Sequence, residues 1–195
     1  MDELCLDLAS TGLPAWNLEY RRLPAASWLE ISADVAAGID AIAGLGVDSS
    51  RVVAIGHSAG GQLALWAAAR PAPHVAVTHA VSQAGVADLR EGARLALSVG
   101  VVRDLLGGAP EAVPEHYAAA SPAELLPLGV PQLLVHGGLD DTVPASIGRA
   151  YAKQALAAGD EVVLLIDPLG GHFEHLDPSS AAWLAVRDWL DGRLA

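Results

Sequence analysis

The sequence is poor in cysteine and in basic residues, and it contains no long apolar run. Its single cysteine, Cys5, cannot form an internal disulfide, which predicts a reducing compartment such as the cytoplasm. Eleven Lys and Arg stand against 23 Asp and Glu, for a formal net charge of -12. Nucleic acids and anionic membranes bind through basic patches, so we expect neither as a partner. The sequence contains no run of about 18 apolar residues, so it predicts no transmembrane helix. The acidic start, Met1-Asp2-Glu3, lacks the basic region of a signal peptide.

The residues that are present predict one α/β domain over residues 1–195. Apolar residues make up 52% of the sequence, enough for a substantial core. Short apolar runs alternate with helical patterns, which is typical of βα units around a mostly parallel sheet. The predicted strands are 13–20, 51–55, 75–81, 132–135 and 161–166, and the predicted helices are 31–45, 61–70, 88–106, 147–158 and one after Ser179 and Ser180. The long insert at about 86–130 is expected to be a lid or a substrate-facing excursion.

One pentapeptide lies between a strand pattern and a helix pattern. Residues 56–60 read Gly-His-Ser-Ala-Gly, which is the G-x-S-x-G arrangement. On such a sharp turn the hydroxyl of Ser58 projects from the sheet, and the backbone N–H groups that open the next helix surround it. Glycine is needed because a Cβ would strike the neighbouring strand or helix. The alternative is an ordinary serine in a glycine-rich turn.

A serine nucleophile needs a base, and the base needs a carboxylate that orients it. Two later strand patterns end in suitable residues: one runs into Asp140 and Asp141, the other into Asp167 and His172. Loops at the carboxyl ends of parallel strands share one edge of the sheet, so these side chains can converge. We predict Ser58 as nucleophile, Asp140 as acid and His172 as base, with Asp141 second and Asp167 third as alternatives for the acid.

The remaining histidines are predicted to have structural roles. His57 is expected to pack beside the nucleophile turn and His136 to support the acid loop. A metal site at His172 and His175 is disfavoured because zinc needs three or four converging ligands. A phosphate-binding loop requires Lys after the last glycine, where Gln62 stands. The glycines at 44–46 do not follow a strand, so a dinucleotide site is unsupported. We therefore expect neither a metal nor a cofactor.

These motifs together resemble the α/β-hydrolase superfamily. More narrowly, the chain is similar to small esterases of the kynurenine formamidase and BD-FAE type, which grade into the catalytic domains of prolyl-oligopeptidase-like peptidases. The resemblance extends from about Leu8 onward and is carried by residues 17–22 (Asn-Leu-Glu-Tyr-Arg-Arg), 56–61, 136–144 and 171–173 (Gly-His-Phe). It implies a three-layer sandwich, a Ser58–Asp140–His172 triad, and an oxyanion hole that includes the N–H of Ala59.

The resemblance also implies a His-Gly-Gly segment ahead of residues 17–22 that completes the oxyanion hole. Sixteen residues precede Asn17 and none read His-Gly-Gly, so the sequence is expected to lack the family's first strands. Three alternatives follow. Met1 is an internal methionine of a longer chain; the protein is a truncated form of weak or no activity; or residues 13–20 pair directly with 51–55 and form an altered site.

The sequence therefore predicts a serine hydrolase that acts on small carboxylic esters or N-formyl amides through an acyl-enzyme. The alternatives are a peptidase-like acyl hydrolase of the prolyl-oligopeptidase type and an inactive hydrolase fold that binds a small ligand or a partner chain. An apolar acyl pocket or an ordinary packed insert would both explain Tyr117, Leu125, Leu126 and Leu128. Trp183 and Trp189 on the last helix are expected either to form a homodimer face or to pack in the core.

Overall fold

A four-stranded parallel sheet forms the centre of the computed structural model, which describes residues 1–194. Its strands are β1 (Val53–His57), β2 (His79–Gln83), β3 (Gln132–Gly137) and β4 (Val162–Asp167), in the spatial order β1-β2-β3-β4. The register aligns Ile55 with Val81, Val81 with Leu133, and Leu133 with Val163. Because all the strands are parallel, their carboxyl ends meet at one edge of the sheet.

Within residues 1–194, eight helices accompany the sheet. They are α1 (Asp2–Ser10), α2 (Trp28–Asp40), α3 (Ala59–Ala68), α4 (Leu89–Arg94), α5 (Leu97–Leu106), α6 (Pro114–Ala120), α7 (Ala145–Ala158) and α8 (Ala181–Leu194), with short 3-10 turns at 41–44, 122–124 and 174–176. The helix α2 begins in a capping box, since Ser27 and Glu30 bond each other's backbone N–H. The final helix begins where the Trp183 N–H donates to Oγ of Ser180, one of the two predicted capping serines.

Alternate residues along each strand pack on opposite faces of the sheet. Val81, Leu133 and Val135 pack with α1 and α8, whereas Ala80 and Leu134 pack with α3 and α7. The middle strands are almost fully buried, as a parallel sheet covered on both faces requires. The predicted three-layer α/β sandwich with a mostly parallel sheet is confirmed.

The segment 13–20 is not the strand that its sequence predicts. Within residues 1–194, β1 pairs with β2 and with no other strand, so the direct pairing of residues 13–20 with 51–55 is wrong. Side chains attach the segment to α2 instead: the Trp16 indole N–H donates to the carbonyl of Gly38 at 3.0 Å. Arg21 donates from its backbone N–H and its guanidinium to Asp34. Contacts with α2 at Trp16 and Arg21, rather than a strand ladder, hold this stretch in place.

Other boundaries and roles also differ from the predictions. The strand β2 starts at His79 rather than at residue 75. The stretch 88–106 is not one continuous helix, because Ala96 and residues 98–100 adopt left-handed backbone angles. The sequence pattern did not predict α1. Trp183 is fully buried and Trp189 nearly so, in the cluster between α1, α8 and the sheet. Core packing of these two tryptophans is confirmed, and the homodimer stays a prediction.

Candidate active site

Ser58 lies on the sharp turn between β1 and α3. Its backbone angles, φ 56° and ψ -117°, are ones that non-glycine residues rarely adopt. A Cβ on Gly56 would overlap the carbonyl of Gly60, so the turn can close this tightly only with glycine there. The Ser58 N–H donates to the carbonyl of Gln83 at 2.8 Å, which attaches the turn to the neighbouring strand. The hydroxyl therefore projects from the carboxyl edge of the sheet.

Asp140 lies in the loop after β3 and is held by its own backbone. Its Oδ1 accepts hydrogen bonds from the N–H groups of Thr142 at 2.9 Å and Val143 at 2.7 Å. Its Oδ2 lies 2.8 Å from Nδ1 of His172, and its side chain is fully buried. Burial raises the pKa of this carboxyl, but the hydrogen bonds from His172, Val143 and Thr142 outweigh it and lower the pKa overall. Asp140 therefore stays ionised and faces His172.

His172 connects the carboxylate to the serine. A carboxylate only accepts, so the Nδ1–H of His172 donates to Asp140 and leaves Nε2 unprotonated in the neutral ring. This Nε2 lies 3.0 Å from Oγ of Ser58, within reach of the hydroxyl proton. The three side chains come from the ends of β1, β3 and β4, as the sequence order predicts. The arrangement can remove a proton from Ser58 and stabilise the imidazolium that results.

Within residues 1–194, neither of the other candidate acids forms a hydrogen bond with His172. Asp141 is exposed and accepts a hydrogen bond from the hydroxyl of Thr142. Asp167 accepts from the N–H of Leu169 in the turn after β4. The structure thus places Asp140 at the end of the chain of hydrogen bonds and leaves both alternatives outside it.

Ala59, the predicted oxyanion donor, directly follows Ser58 in the chain. It is the first residue of α3, so its N–H has no partner within the helix. No acceptor for that N–H is present within residues 1–194, and Ala59 itself is exposed. A free N–H at the start of a ten-residue helix is a suitable donor to a developing oxyanion.

Two further histidines touch this constellation. The Nε2 of His136 lies 2.8 Å from the carbonyl of Val143, to which it donates, and 3.7 Å from Oδ2 of Asp140. Burial lowers the pKa of His136. His57, one residue before the serine, donates through Nε2 to the backbone carbonyl of His172 at 2.6 Å. Sequence reasoning placed His57 beside the turn but not in contact with the backbone of the base.

The predicted acyl-pocket residues are part of the packed core. Tyr117, on α6, is fully buried in a core cluster that includes residues of α2, α3, α4 and α5, and its hydroxyl donates to the carbonyl of Gly108. Leu128 is buried in a second cluster, with Leu125 and Leu126 packed against it. The packed insert, rather than a shared pocket, accounts for these four residues.

His175 is buried beside the site without a partner for its ring. Neither ring nitrogen finds a hydrogen-bond partner among the described residues, and the side chain of Gln83 leaves its Oε1 similarly unpaired. The ring centroid lies 6.0 Å from that of His57. Burial, reinforced by neighbouring histidines, lowers the pKa of His175 from 6.5 to about 4. His175 is therefore neutral in the folded protein near pH 7.

We expect His175 to make the protein sensitive to acid. The pKa of His175 is lower in the folded state than in the unfolded state, so between pH 6.5 and pH 4 the unfolded chain binds a proton that the folded protein does not. The contribution of His175 to the free energy of unfolding is therefore complete above pH 6.5 and is lost as the pH falls towards 4. The loss reaches at most about 3 kcal/mol, the product of the pKa difference and the energy per unit. Urea unfolding at pH 7.5 and pH 4.5 should show a smaller loss for His175→Leu than for wild type. Equal losses in the two proteins would contradict this prediction.

Comparison with known proteins adds a family and a fold. Residues 30–193 match the model of the prolyl oligopeptidase family. None of the curated proteins matches the chain in sequence.

No helix within residues 1–194 is long and apolar enough to cross a membrane.

Several solved structures are similar in fold. An acetyl ester-xyloside bifunctional hydrolase from Caldicellulosiruptor lactoaceticus is 23% identical with a TM-score of 0.80, over 97% of this chain and 75% of that one. An esterase from the Planctomycetes species Thermogutta terrifontis is 24% identical with a TM-score of 0.70, over 90% of this chain and 68% of that one. The acylaminoacyl peptidase of Pyrococcus horikoshii is 21% identical with a TM-score of 0.70, but the match covers 85% of this chain and 28% of that enzyme. At these identities the likeness concerns the fold.

Proposed function

The chain belongs to the prolyl oligopeptidase family, and from that premise we propose that it is a serine hydrolase that cleaves small carboxylic esters or N-formyl amides. The observation that carries the proposal is the continuous chain of hydrogen bonds from Ser58 through His172 to Asp140. No metal or cofactor takes part in the proposed reaction.

The reaction proceeds in two halves through an acyl-enzyme. Oγ of Ser58 attacks the acyl carbon as its proton passes to Nε2 of His172, and Asp140 stabilises the imidazolium. The N–H of Ala59 donates to the tetrahedral oxyanion. On collapse, His172 returns the proton to the leaving alcohol or amine. Water, deprotonated by His172, then attacks the acyl-enzyme and releases the acid and free Ser58.

A second candidate is a peptidase-like acyl hydrolase, which the family match supports. The two candidates differ in the leaving group rather than in the serine chemistry: an ester releases an alcohol, whereas a peptide releases an amine that His172 must protonate. Paired substrates with the same acyl group and either a p-nitrophenyl ester or a p-nitroanilide separate the two. An N-formyl anilide added to the series tests the formamidase activity.

Labelling with a fluorophosphonate tests the proposed function directly. An activated serine forms a covalent adduct, so intact-mass analysis should show one addition, and fragmentation should locate it on Ser58. Prior incubation with a cleaved ester should slow the labelling. An unlabelled, cooperatively folding protein would contradict the proposed function and favour the alternative of a binding protein with a hydrolase fold.

A further inference from the structure

His57 is placed to connect two loops of the site. It occupies the end of β1, directly before Ser58, and lies in register with Gln83 of β2. Side chains alternate along a strand, so His57 lies on the same face as Val53 and Ile55, the face covered by α1 and α8. From there its Nε2 lies 2.6 Å from the backbone carbonyl oxygen of His172. A carbonyl only accepts, so the Nε2–H of His57 donates.

The loop that carries His172 is held by few bonds. It begins after β4 with exposed residues and passes through Gly170 and Gly171, where the backbone is least restricted. Gly170 accepts from the N–H of Leu139, and the carbonyl of His175 accepts from the side chain of Gln83. Those contacts lie two and three residues from His172, and within the loop the Gly171 N–H donates to Oε2 of Glu174 at 2.9 Å. The carbonyl of His172 itself has one donor within residues 1–194, which is His57.

The rings reinforce the same contact. The centroids of the His57 and His172 rings lie 4.7 Å apart, and the ring of Phe173 lies 5.0 Å from His172 and 5.9 Å from His57. Phe173 remains 67% exposed, so it cannot fix the loop by burial. The half-buried His57 is thus the member of this group that is anchored in the sheet.

We infer that His57 is a positioning residue that holds the backbone of His172 so that Nε2 of His172 stays within reach of Ser58. This inference rests on the proposed function, since it takes His172 as the base. Burial lowers the pKa of His57, so the ring is neutral near pH 7 and places no like charge beside the imidazolium that forms on His172. The hydrogen bond needs only Nε2–H, which the neutral ring provides.

The expected consequence is a loss in kcat rather than in substrate binding. Without its donor, the loop moves and Nε2 of His172 spends less time aligned with Ser58, and a displacement of about 1 Å can cost roughly 100-fold in rate. The binding surface for substrate need not change. We therefore expect KM to stay nearly constant while kcat falls.

Two replacements of equal length test the inference. In His57→Gln the amide nitrogen reaches the position of Nε2 and can still donate, whereas His57→Met fills the same space without a donor. We expect His57→Met to lower kcat by about 10- to 100-fold, and His57→Gln to stay within about threefold of wild type. A kcat unchanged in His57→Met, or lowered equally in both variants, would overturn the inference. If His57→Met melts below the assay temperature, His57→Asn, whose amide is too short to reach the carbonyl, takes its place.

A spectroscopic readout separates this inference from the proposed function. The proton shared by His172 and Asp140 should give a low-field resonance in ¹H NMR spectra at neutral pH. We expect it to be sharp in wild type and His57→Gln and broadened by exchange in His57→Met. That pattern supports the positioning role even if fluorophosphonate fails to label Ser58 and the proposed function falls. A resonance of the same width in all three proteins, or absent from all of them, counts against the positioning role whatever the activity.

Discussion

Replacing Ser58 with alanine is expected to lower kcat by about a factor of 10⁶, the size of effect seen when the nucleophile of a serine triad is removed. Ser58 is the one group that would form the acyl-enzyme, so neither His172 nor Ala59 can compensate. The backbone angles of Ser58 are unfavourable for serine and alanine alike, and no side-chain bond other than that to His172 is lost. The variant should fold normally, with a near-ultraviolet circular dichroism spectrum like that of wild type.

Ser10→Ala is a matched control for this experiment. Ser10 is exposed at the end of α1, where its hydroxyl donates to the backbone carbonyl of Asp7. This variant therefore also removes one serine hydroxyl, but at a position distant from Ser58 in the chain. Its turnover and its fluorophosphonate labelling should equal those of wild type. Undiminished hydrolysis by Ser58→Ala would place the chemistry on another residue. A bound ligand retained by Ser58→Ala without any turnover in wild type would instead indicate a binding protein.

Replacing Asp140 with asparagine is expected to lower kcat by about 10⁴-fold, because it forces His172 into the wrong tautomer. The position of Oδ1 faces the N–H groups of Thr142 and Val143, so the carbonyl oxygen of asparagine must occupy it. The amide NH₂ then takes the place of Oδ2 and points at Nδ1 of His172. Nδ1 must accept, and the proton moves to Nε2, which can no longer receive one from Ser58.

The neighbouring Asp141→Asn provides the control for charge. It removes one negative charge at the adjacent position, but Asp141 is exposed and its side chain contacts only the hydroxyl of Thr142 among the hydrogen bonds described. We expect its kcat to stay close to that of wild type. Measured kcat values for both variants, with melting temperatures to check folding, decide between the two carboxylates. A larger loss in Asp141→Asn than in Asp140→Asn would assign the acid to Asp141.

Some features could be predicted because they depend on short stretches of sequence. The turn at Ser58 needs glycine at position 56, a preceding β-strand and a following helix, and all three lie within residues 53–68. The order of serine, acid and histidine follows from the order of the strands, since parallel strands deliver their loops to the same edge. The alternation of short apolar runs with helical patterns likewise predicted the α/β layers.

Other features depended on which parts of the chain meet. The segment 13–20 has the composition of a strand, but a strand needs a neighbouring ladder, and α2 supplied the contacts instead. Tyr117 and Leu128 looked suitable for a pocket because apolar residues line pockets and cores alike. Only packing could distinguish the two.

The sequence by itself determined the layered α/β architecture, the nucleophile turn and the loops from which an acid and a base would come, because these follow from local backbone preferences and from strand order. The tertiary structure decided which carboxylate faces His172 and which residue anchors its backbone. Asp140 and Asp141 are adjacent and chemically identical, and the donors of Thr142 and Val143 orient only the first. The bond from His57 to His172 spans 115 positions of the chain, a distance over which no local pattern carries information.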